Sequence, residues 1–279
     1  MGSSSLPERV ALLGGCEVKA GEPLAPLTSV RVGGPAEALV RPRTPEALVA
    51  LLKLARDEGA PVTIIGGGAN TLVGDGGIRG LTLRLPGDLF PEVAEVGAEF
   101  LAGIPGTLGG AVSMNAGTKN GECFRVLEAV ELATVDGVGW LEKARIPHAY
   151  RHSELPVGSV VTRVRFRLPR GDLAASKQAM DKDLAYRKST QPLSQPNFGS
   201  VFTNPPGDYA GRLIEVVNLK GHTLGRAQVS TLHANWIVNL GGATARDVLG
   251  LITLMQERVR AETGVELKPE VKRVGEFLP

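Results

Sequence analysis

The chain has 279 residues, 43% of them apolar and 22% charged, with a net charge of +2 at neutral pH. That length allows two or three domains with a sizeable core, and the balance excludes a disordered or fibrous chain. So small a net charge, with no basic tract interleaved with aromatics, argues against nucleic acid as a partner.

In chain order, Glu8 to Leu13 predicts a short helix ended by Gly14-Gly15, and Thr28 to Ala36 a strand running into a Gly-Pro turn. Ala38 to Arg41 is a second strand. Thr44 and Pro45 open a helix whose stripe is Leu48, Val49, Leu51, Leu52 and Leu54, with Gly59 ending it. Val62 to Ile65 predicts a buried strand and Leu81 to Leu85 another. Val126 to Thr134 and Val138 to Leu141 form a hairpin around Asp136-Gly137, and Val160 to Leu168 is a further strand. Pro169 to Asp172 reads as a linker, with Asp172 a candidate cap for a helix over Leu173 to Lys188. Tyr209 to Asn218 is helical and Trp236 to Val238 a strand. Thr244 caps a long helix to about Thr263, closed by Gly264, and Val265 to Leu267 is a last strand. The boundaries that follow are 1–86, 87–172 and 173–279.

Cys16 and Cys123 lack zinc spacing, which suggests a reducing compartment and no metal site. No basic and apolar leader opens the chain, and no run approaches a membrane span, so the expectation is a cytoplasmic protein with no membrane partner.

Glycine, at 36 residues, is nearly double its usual share of ~7%, and the excess is concentrated. Residues 101–117 read L-A-G-I-P-G-T-L-G-G-A-V-S-M-N-A-G. Glycines reach positive φ and let backbone N–H groups approach a ligand, making anion-binding concavities. Ala111, Val112, Met114 and Ala116 are too apolar for an exposed loop and suit a wall against a flat cofactor. A second loop, Gly66-Gly67-Gly68-Ala69-Asn70-Thr71, follows a strand as a dinucleotide fingerprint does, but Thr71 stands at the third glycine and no helix pattern follows. It reads as a pyrophosphate loop without a helix. Asp75 is expected to fix this loop through backbone bonds.

Six motifs occur in one order: G-G-G-A-N-T-L-V-x-D-x-G, F-L-A-G-I-P-G-T-L-G-G-A-V-x-M-N-A-G, A-Y-R-H-S, G-S-V-F-T-N-P, A-Q-V-S-x-x-H-A-N-W-I-V-N and L-K-P-E-V. Together, from about Thr28 to Gly275, they resemble the UDP-N-acetylenolpyruvylglucosamine reductases, which make UDP-N-acetylmuramate for bacterial peptidoglycan and so serve cell-wall biogenesis, cell shape and division. The resemblance implies an α+β fold: a two-part FAD-binding region of the vanillyl-alcohol-oxidase type (1–86 and 87–172) and a C-terminal α/β substrate-binding domain (173–279). It implies bound FAD, held by Gly66, Gly67, Gly68, Ala69, Asn70, Thr71, Gly103, Pro105, Gly106, Thr107, Gly109, Gly110, Ala111, Asn115, Ala116 and Gly117. NADPH is the implied co-substrate, visiting one pocket in turn with the enolpyruvyl substrate, and a monomer is expected.

Reducing an enolpyruvyl ether adds hydride to the terminal carbon and a proton to its neighbour, while negative charge spreads toward the carboxylate. Such a site needs a proton donor at the α-carbon and a cation or acid at the carboxylate. By resemblance the hydride comes from flavin N5, Ser200 is the proton donor, Arg151 meets the carboxylate, and Glu270 is a second acid. Taken alone, Ser200 is a turn serine, Arg151 a surface cation and Glu270 a solvated ion-pair member between Lys268 and Lys272. Lys188, Arg187 and Asn204, then Gln228, His233 and Asn235, are candidates for UDP; His233 reads equally as a satisfied core histidine. An FAD-dependent alcohol or sugar oxidase and a nucleotide-sugar binding protein remain as alternatives, the second predicting a colourless protein.

Two departures from the family stand out. Only fourteen residues separate Leu85 from Phe100, where a further strand and helix are expected. No tyrosine-bearing insertion lies between Arg151 and Ser200, so the chain resembles the shorter branch.

Overall fold

The computed structural model describes residues 4–85, 98–168 and 171–278. The short 86–97 segment and Pro169-Arg170 of the expected linker lie outside the described residues. The chain forms two compact units that interleave along the sequence, where the motifs suggest three consecutive segments. Unit 1 comprises Met1–Glu22, Ala36–Gly66 and Arg79–Ala185; unit 2 comprises Pro23–Pro35, Gly67–Ile78 and Tyr186–Pro279.

In unit 1, α1 (Leu6–Leu12) and α2 (Pro45–Glu58) accompany a sheet of β1 (Cys16–Pro23), β2 (Pro35–Pro42), β3 (Val62–Ile64) and, after β4 (Thr71–Val73) of unit 2, β5 (Ile78–Leu83), in the order β1-β2-β5-β3. Helix α2 forms where its signals place it. The Thr44 hydroxyl accepts the Ala47 N–H at 3.2 Å, Pro45 pre-sets the first turn, and Gly59 ends the helix at φ +63°. Leu48, Leu51 and Leu52 then pack with Ala38, Val40, Leu81 and Leu83. Burial of each leucine contributes roughly 1.5–3 kcal/mol.

Two expectations here need correction. Residues 28–34 are not a strand; the strand starts at Pro35 and its partner is Cys16–Pro23, a polar stretch with weak alternation. Nor is the strand at Val62 buried, because β3 is an edge strand with Val62 37% and Ile64 44% exposed. Only Ile65, just past it, is buried.

The rest of unit 1 contains the short α3 (Leu108–Ser113), β6 (Gly117–Thr118), β7 (Gly121–Glu122) and α4 (Cys123–Val126), then β8 (Leu127–Thr134) and β9 (Gly137–Glu142). Next come β10 (His148–Ala149), β11 (His152–Ser153) and β12 (Val160–Phe166). Strands β12, β8 and β9 form an antiparallel sheet in that order; Thr134 pairs with Gly137, so the turn is Val135-Asp136, one residue before the expected Asp136-Gly137. A register shift between Val161 and Arg163 interrupts the simple alternation expected of β12. Helix α5 (Leu173–Thr190) follows, and the Asp172 carboxylate accepts the Ala174 N–H at 2.8 Å.

Unit 2 has an antiparallel sheet in the order β13 (Asn197–Ser200), β16 (Trp236–Asn239), β15 (Ala227–Val229), β14 (Thr223–Leu224). Its apolar cluster includes Ile237, Ala227 and Val229 of the sheet, Leu213 and Ile214 of α6 (Ala210–Val216), and Val248, Leu251, Ile252, Met255 and Val259 of α7 (Ala245–Thr263). Helix α7 keeps its predicted bounds: Thr244 and Asp247 form a capping box and Gly264 closes it at φ +71°. The last strand does not fall at Val265–Leu267. It is β17 (Lys272–Val274), parallel to β4 with Lys272 opposite Thr71, while Leu267 is buried in the apolar cluster.

Candidate active site

In unit 1 the loop 101–117 is shaped by its own sequence. Gly103 (φ +72°) and Gly106 (φ +128°) occupy conformations that side chains rarely adopt, and Thr107 opens α3 by accepting the Gly110 N–H at 3.2 Å. Asn115 is fully buried at φ +45°. Its Nδ2 donates to the Ala149 carbonyl at 3.0 Å, and its Oδ1 accepts the Phe124 N–H at 3.0 Å. The amide therefore ties the glycine loop to the β10–β11 hairpin, whose two-residue tip is Tyr150-Arg151. Arg151 is itself left-handed (φ +57°), and its Nη2 donates to the Gly117 carbonyl at 2.7 Å. The guanidinium lies 5.0 Å from the centre of the Tyr150 ring. The loop that sequence assigns to the flavin thus also positions the candidate cation.

The same loop passes a test for a flat cofactor. A Cβ on Gly110 would meet only Thr107 Oγ1, at 3.4 Å, so space is open beyond this exposed glycine. A Cβ on Gly66 would come 2.7 Å from Thr107 Oγ1, so the end of the β3 segment reaches the start of α3 only because it has none. By contrast, Gly117 packs against backbone: its Cβ would stand 2.2 Å from the Gly121 carbonyl oxygen.

In unit 2 the loop that starts at Gly67 works differently. Gly68 (φ +64°) is buried, its Cβ would fall 2.2 Å from the Leu27 carbonyl oxygen, and its own carbonyl accepts the Ser29 N–H at 3.0 Å. That glycine is needed for packing. Asn70 Nδ2 donates to the Glu270 carbonyl at 3.1 Å, and the Lys272 N–H donates to the Asn70 carbonyl at 3.1 Å. Glu270 is half-buried, and its N–H donates to the Val201 carbonyl at 2.7 Å. Ser200 and Glu270, seventy residues apart in sequence, are therefore brought together around Val201. Ser200 closes β13 after Gly199 (φ +81°), whose N–H donates to Asn197 Oδ1 at 2.9 Å. Ser29 Oγ donates in turn to the Asn197 carbonyl at 2.6 Å. The half-buried Ser200 hydroxyl has no hydrogen-bond partner among the described residues.

The six candidates for UDP divide by their present partners. Asn235 is buried, and its amide uses both ends on Phe202: Oδ1 accepts the N–H at 3.0 Å and Nδ2 donates to the carbonyl at 2.8 Å. Gln228 Nε2 donates from β15 to the Gly221 carbonyl, just before β14, at 3.1 Å. Asn204 Oδ1 accepts the Ala210 N–H at 3.1 Å, at the start of α6. His233 accepts the Asn235 N–H on Nδ1 at 3.2 Å, which puts its proton on Nε2, and burial lowers its pKa. Arg187 Nε donates to Gln191 Oε1 at 3.0 Å, while Lys188 is exposed. Asp75 does not hold the glycine loop. Its two oxygens accept the Ala245 and Arg246 N–H groups at 2.8 and 3.0 Å, stabilising the start of α7.

Sequence reasoning missed Asn197 and Ser29, which shape the turn before Ser200. An Asn two residues before a glycine was the available signal for the first; nothing local marks Ser29. Among the described residues no helix is long and apolar enough to cross a membrane, and no group of three or more His, Cys, Asp or Glu could hold a metal.

Comparison with known proteins gives the family. Residues 36–96 match a family model described as an FAD binding domain, and residues 191–274 match the UDP-N-acetylenolpyruvoylglucosamine reductase C-terminal domain. A UDP-N-acetylenolpyruvoylglucosamine reductase of Myxococcus xanthus is 73% identical, over 99% of this chain and 98% of its own. One from Rubrobacter xylanophilus is 43% identical over 91% and 94%. The crystal structure of the enzyme from Thermus caldophilus superposes with a TM-score of 0.80 at 35% identity, covering 93% of this chain and 99% of that one. An α+β fold with an FAD-binding region is thereby established, and this chain belongs to the UDP-N-acetylenolpyruvoylglucosamine reductase family.

Proposed function

We propose that Ser200, Arg151 and Glu270 carry out the proton and charge chemistry of the family's reaction, the NADPH-dependent reduction of UDP-N-acetylenolpyruvylglucosamine to UDP-N-acetylmuramate. FAD, when bound, supplies the hydride to the enolpyruvyl terminal carbon after NADPH has reduced it. Residues 103–117 would hold it through backbone amides and open glycine faces, and residues 66–71 through their turn. Ser200 delivers the proton to the α-carbon. Arg151 binds the carboxylate and the charge that spreads onto it, and Glu270 acts as a second acid at that charge.

The observation that carries this reading is the Ser200 hydroxyl, half-buried without a partner among the described residues, on the strand end whose next carbonyl holds the Glu270 N–H. A merely structural turn serine would be hydrogen-bonded within its own turn. We further read 1–86 and 87–172 as the FAD-binding subdomains and 173–279 as the substrate domain. Lys188, Arg187 and His233 contact UDP, and the enzyme works as a cytoplasmic monomer.

The test separates the half-reactions. Ser200→Ala leaves flavin reduction by NADPH nearly unchanged and slows anaerobic reoxidation by the enol ether by roughly 10²–10⁴. Stopped-flow traces that slow equally in both steps would return Ser200 to a structural role.

A further inference from the structure

We propose that Asn197 is a positioning residue for proton delivery, with Ser29 as its support: together they hold a bulge in β13 that turns the Ser200 side chain away from the core of unit 2. The proposal rests on the reading of Ser200 as proton donor given above. In the antiparallel pair β13–β16, Asn197 stands opposite Val238 and Ser200 opposite Trp236, so three steps along β13 match two along β16. The extra residue makes a bulge, and Gly199 within it is left-handed at φ +81°.

The bulge decides which way Ser200 points. Phe198 lies in the apolar cluster with α6 and α7, and strict alternation would send Ser200 to that same face and Val201 away from it. Instead Val201 joins the cluster, as does Ile237 of β16, while Ser200 is opposite Trp236, which is outside it. Glycine permits the left-handed turn without selecting it. The selection comes from half-buried Asn197, whose Oδ1 accepts the Gly199 N–H at 2.9 Å. Its Nδ2 donates to the Gln195 carbonyl at 2.7 Å and to the Pro192 carbonyl at 3.2 Å, so both ends of the amide are in use. Behind the turn, Ser29 gives its hydroxyl proton to the Asn197 carbonyl at 2.6 Å, the shortest of its three carbonyl contacts. The Ser29 N–H donates to the Gly68 carbonyl, so one serine ties the bulge to the 66–71 loop.

Asn197→Ala removes the acceptor at the bulge. In the variant holoenzyme, anaerobic flavin reoxidation by saturating UDP-N-acetylenolpyruvylglucosamine slows roughly 10–10²-fold, the effect of a displaced reacting group. Flavin content and flavin reduction by NADPH stay within about twofold, and the apparent Kd of the enol ether within about threefold. Asn197→Ser, whose hydroxyl oxygen accepts the same N–H more weakly, recovers most of the rate. In a Ser200→Ala background, Asn197→Ala adds less than about twofold, because it acts through the serine. A wild-type reoxidation rate in Asn197→Ala would overturn the proposal. So would loss of flavin, equal slowing of both half-reactions, or a full additional effect on top of Ser200→Ala, each of which makes Asn197 a residue of the fold. Ser29→Ala keeps the turn and removes its support, so it slows reoxidation alone and by a smaller factor. Should Asn197→Ala yield no soluble protein, Ser29→Ala is judged by the same outcomes. Failure of the underlying reading looks different: Ser200→Ala itself would then reoxidise at the wild-type rate.

Discussion

Asn115 in unit 1 and Asn70 in unit 2 each hold the backbone that carries a candidate catalytic residue, yet they do so under opposite backbone conditions. In unit 1 Asn115 and Arg151 are themselves left-handed. Such conformations cost about 1–3 kcal/mol each and persist only where surrounding bonds over-determine them. Here Asn115 bonds at both ends of its amide and Arg151 is held to Gly117. Beside Asn70 and Ser200 in unit 2 the left-handed positions are glycines, Gly68 and Gly199, while Asn70 leads straight into the paired strands β4 and β17. Where the side chain at the bend is itself needed, the strain stays with it; where only the neighbouring strand matters, a glycine takes the bend.

That contrast can be broken most sharply at Gly68. Gly68→Ala must place a Cβ 2.2 Å from the Leu27 carbonyl oxygen at φ +64°, so unfolding free energy should fall by roughly 3–5 kcal/mol. A urea titration showing a loss below 1 kcal/mol would mean the loop relaxes freely. The asparagines come next. Asn115→Ala strands two backbone groups in the interior and should cost about 2–4 kcal/mol, with Asn115→Gly less damaging because it recovers the φ angle. Asn70→Ala should cost only about 1–2 kcal/mol but slow flavin reoxidation more than flavin reduction, since it loosens Glu270. Equal effects of the two alanine variants on stability would erase the distinction drawn here.

Alkali should also tell the units apart. Both cysteines are in unit 1, and burial pushes the Cys123 thiol up to about 12. Its folded pKa exceeds the unfolded value near 9, so stability is unaffected below that pH and declines as pH rises from about 9 toward about 12. The slope approaches about 1.4 kcal/mol per pH unit. Cys123→Ala should remove most of it in urea midpoints measured against pH; Cys16, also raised by burial, leaves a remainder. The smallest effect is at Gly110, where Cβ meets nothing closer than 3.4 Å. Gly110→Ala should stabilise the flavin-free protein by about 0.5–1 kcal/mol through helix propensity, whereas Gly110→Leu should abolish flavin absorbance. Full flavin content in the leucine variant would remove that face of α3 from the cofactor site.

The sequence by itself determined whatever depends on neighbours along the chain. Helix α7 runs from its Thr244 cap to Gly264, and the β8–β9 hairpin turns within one residue of the expected Asp136-Gly137, because capping and turn chemistry act over three or four residues. The ordered motifs likewise sufficed for the family. What only the tertiary structure decided is which polar groups meet across long separations. Asp75 ends at the start of α7, 170 residues away, and Asn70 reaches Glu270 across 200. The amide of Asn235 is used on Phe202, where a surface asparagine would be open to a nucleotide. The final strand forms at Lys272–Val274 instead of the more apolar Val265–Leu267, because β4 offers a parallel partner there while Leu267 is drawn into the core of unit 2. An asparagine or aspartate carries the same local signal whether its partner is a ligand or a distant strand. Only the folded chain determines which carbonyl or amide stands opposite it.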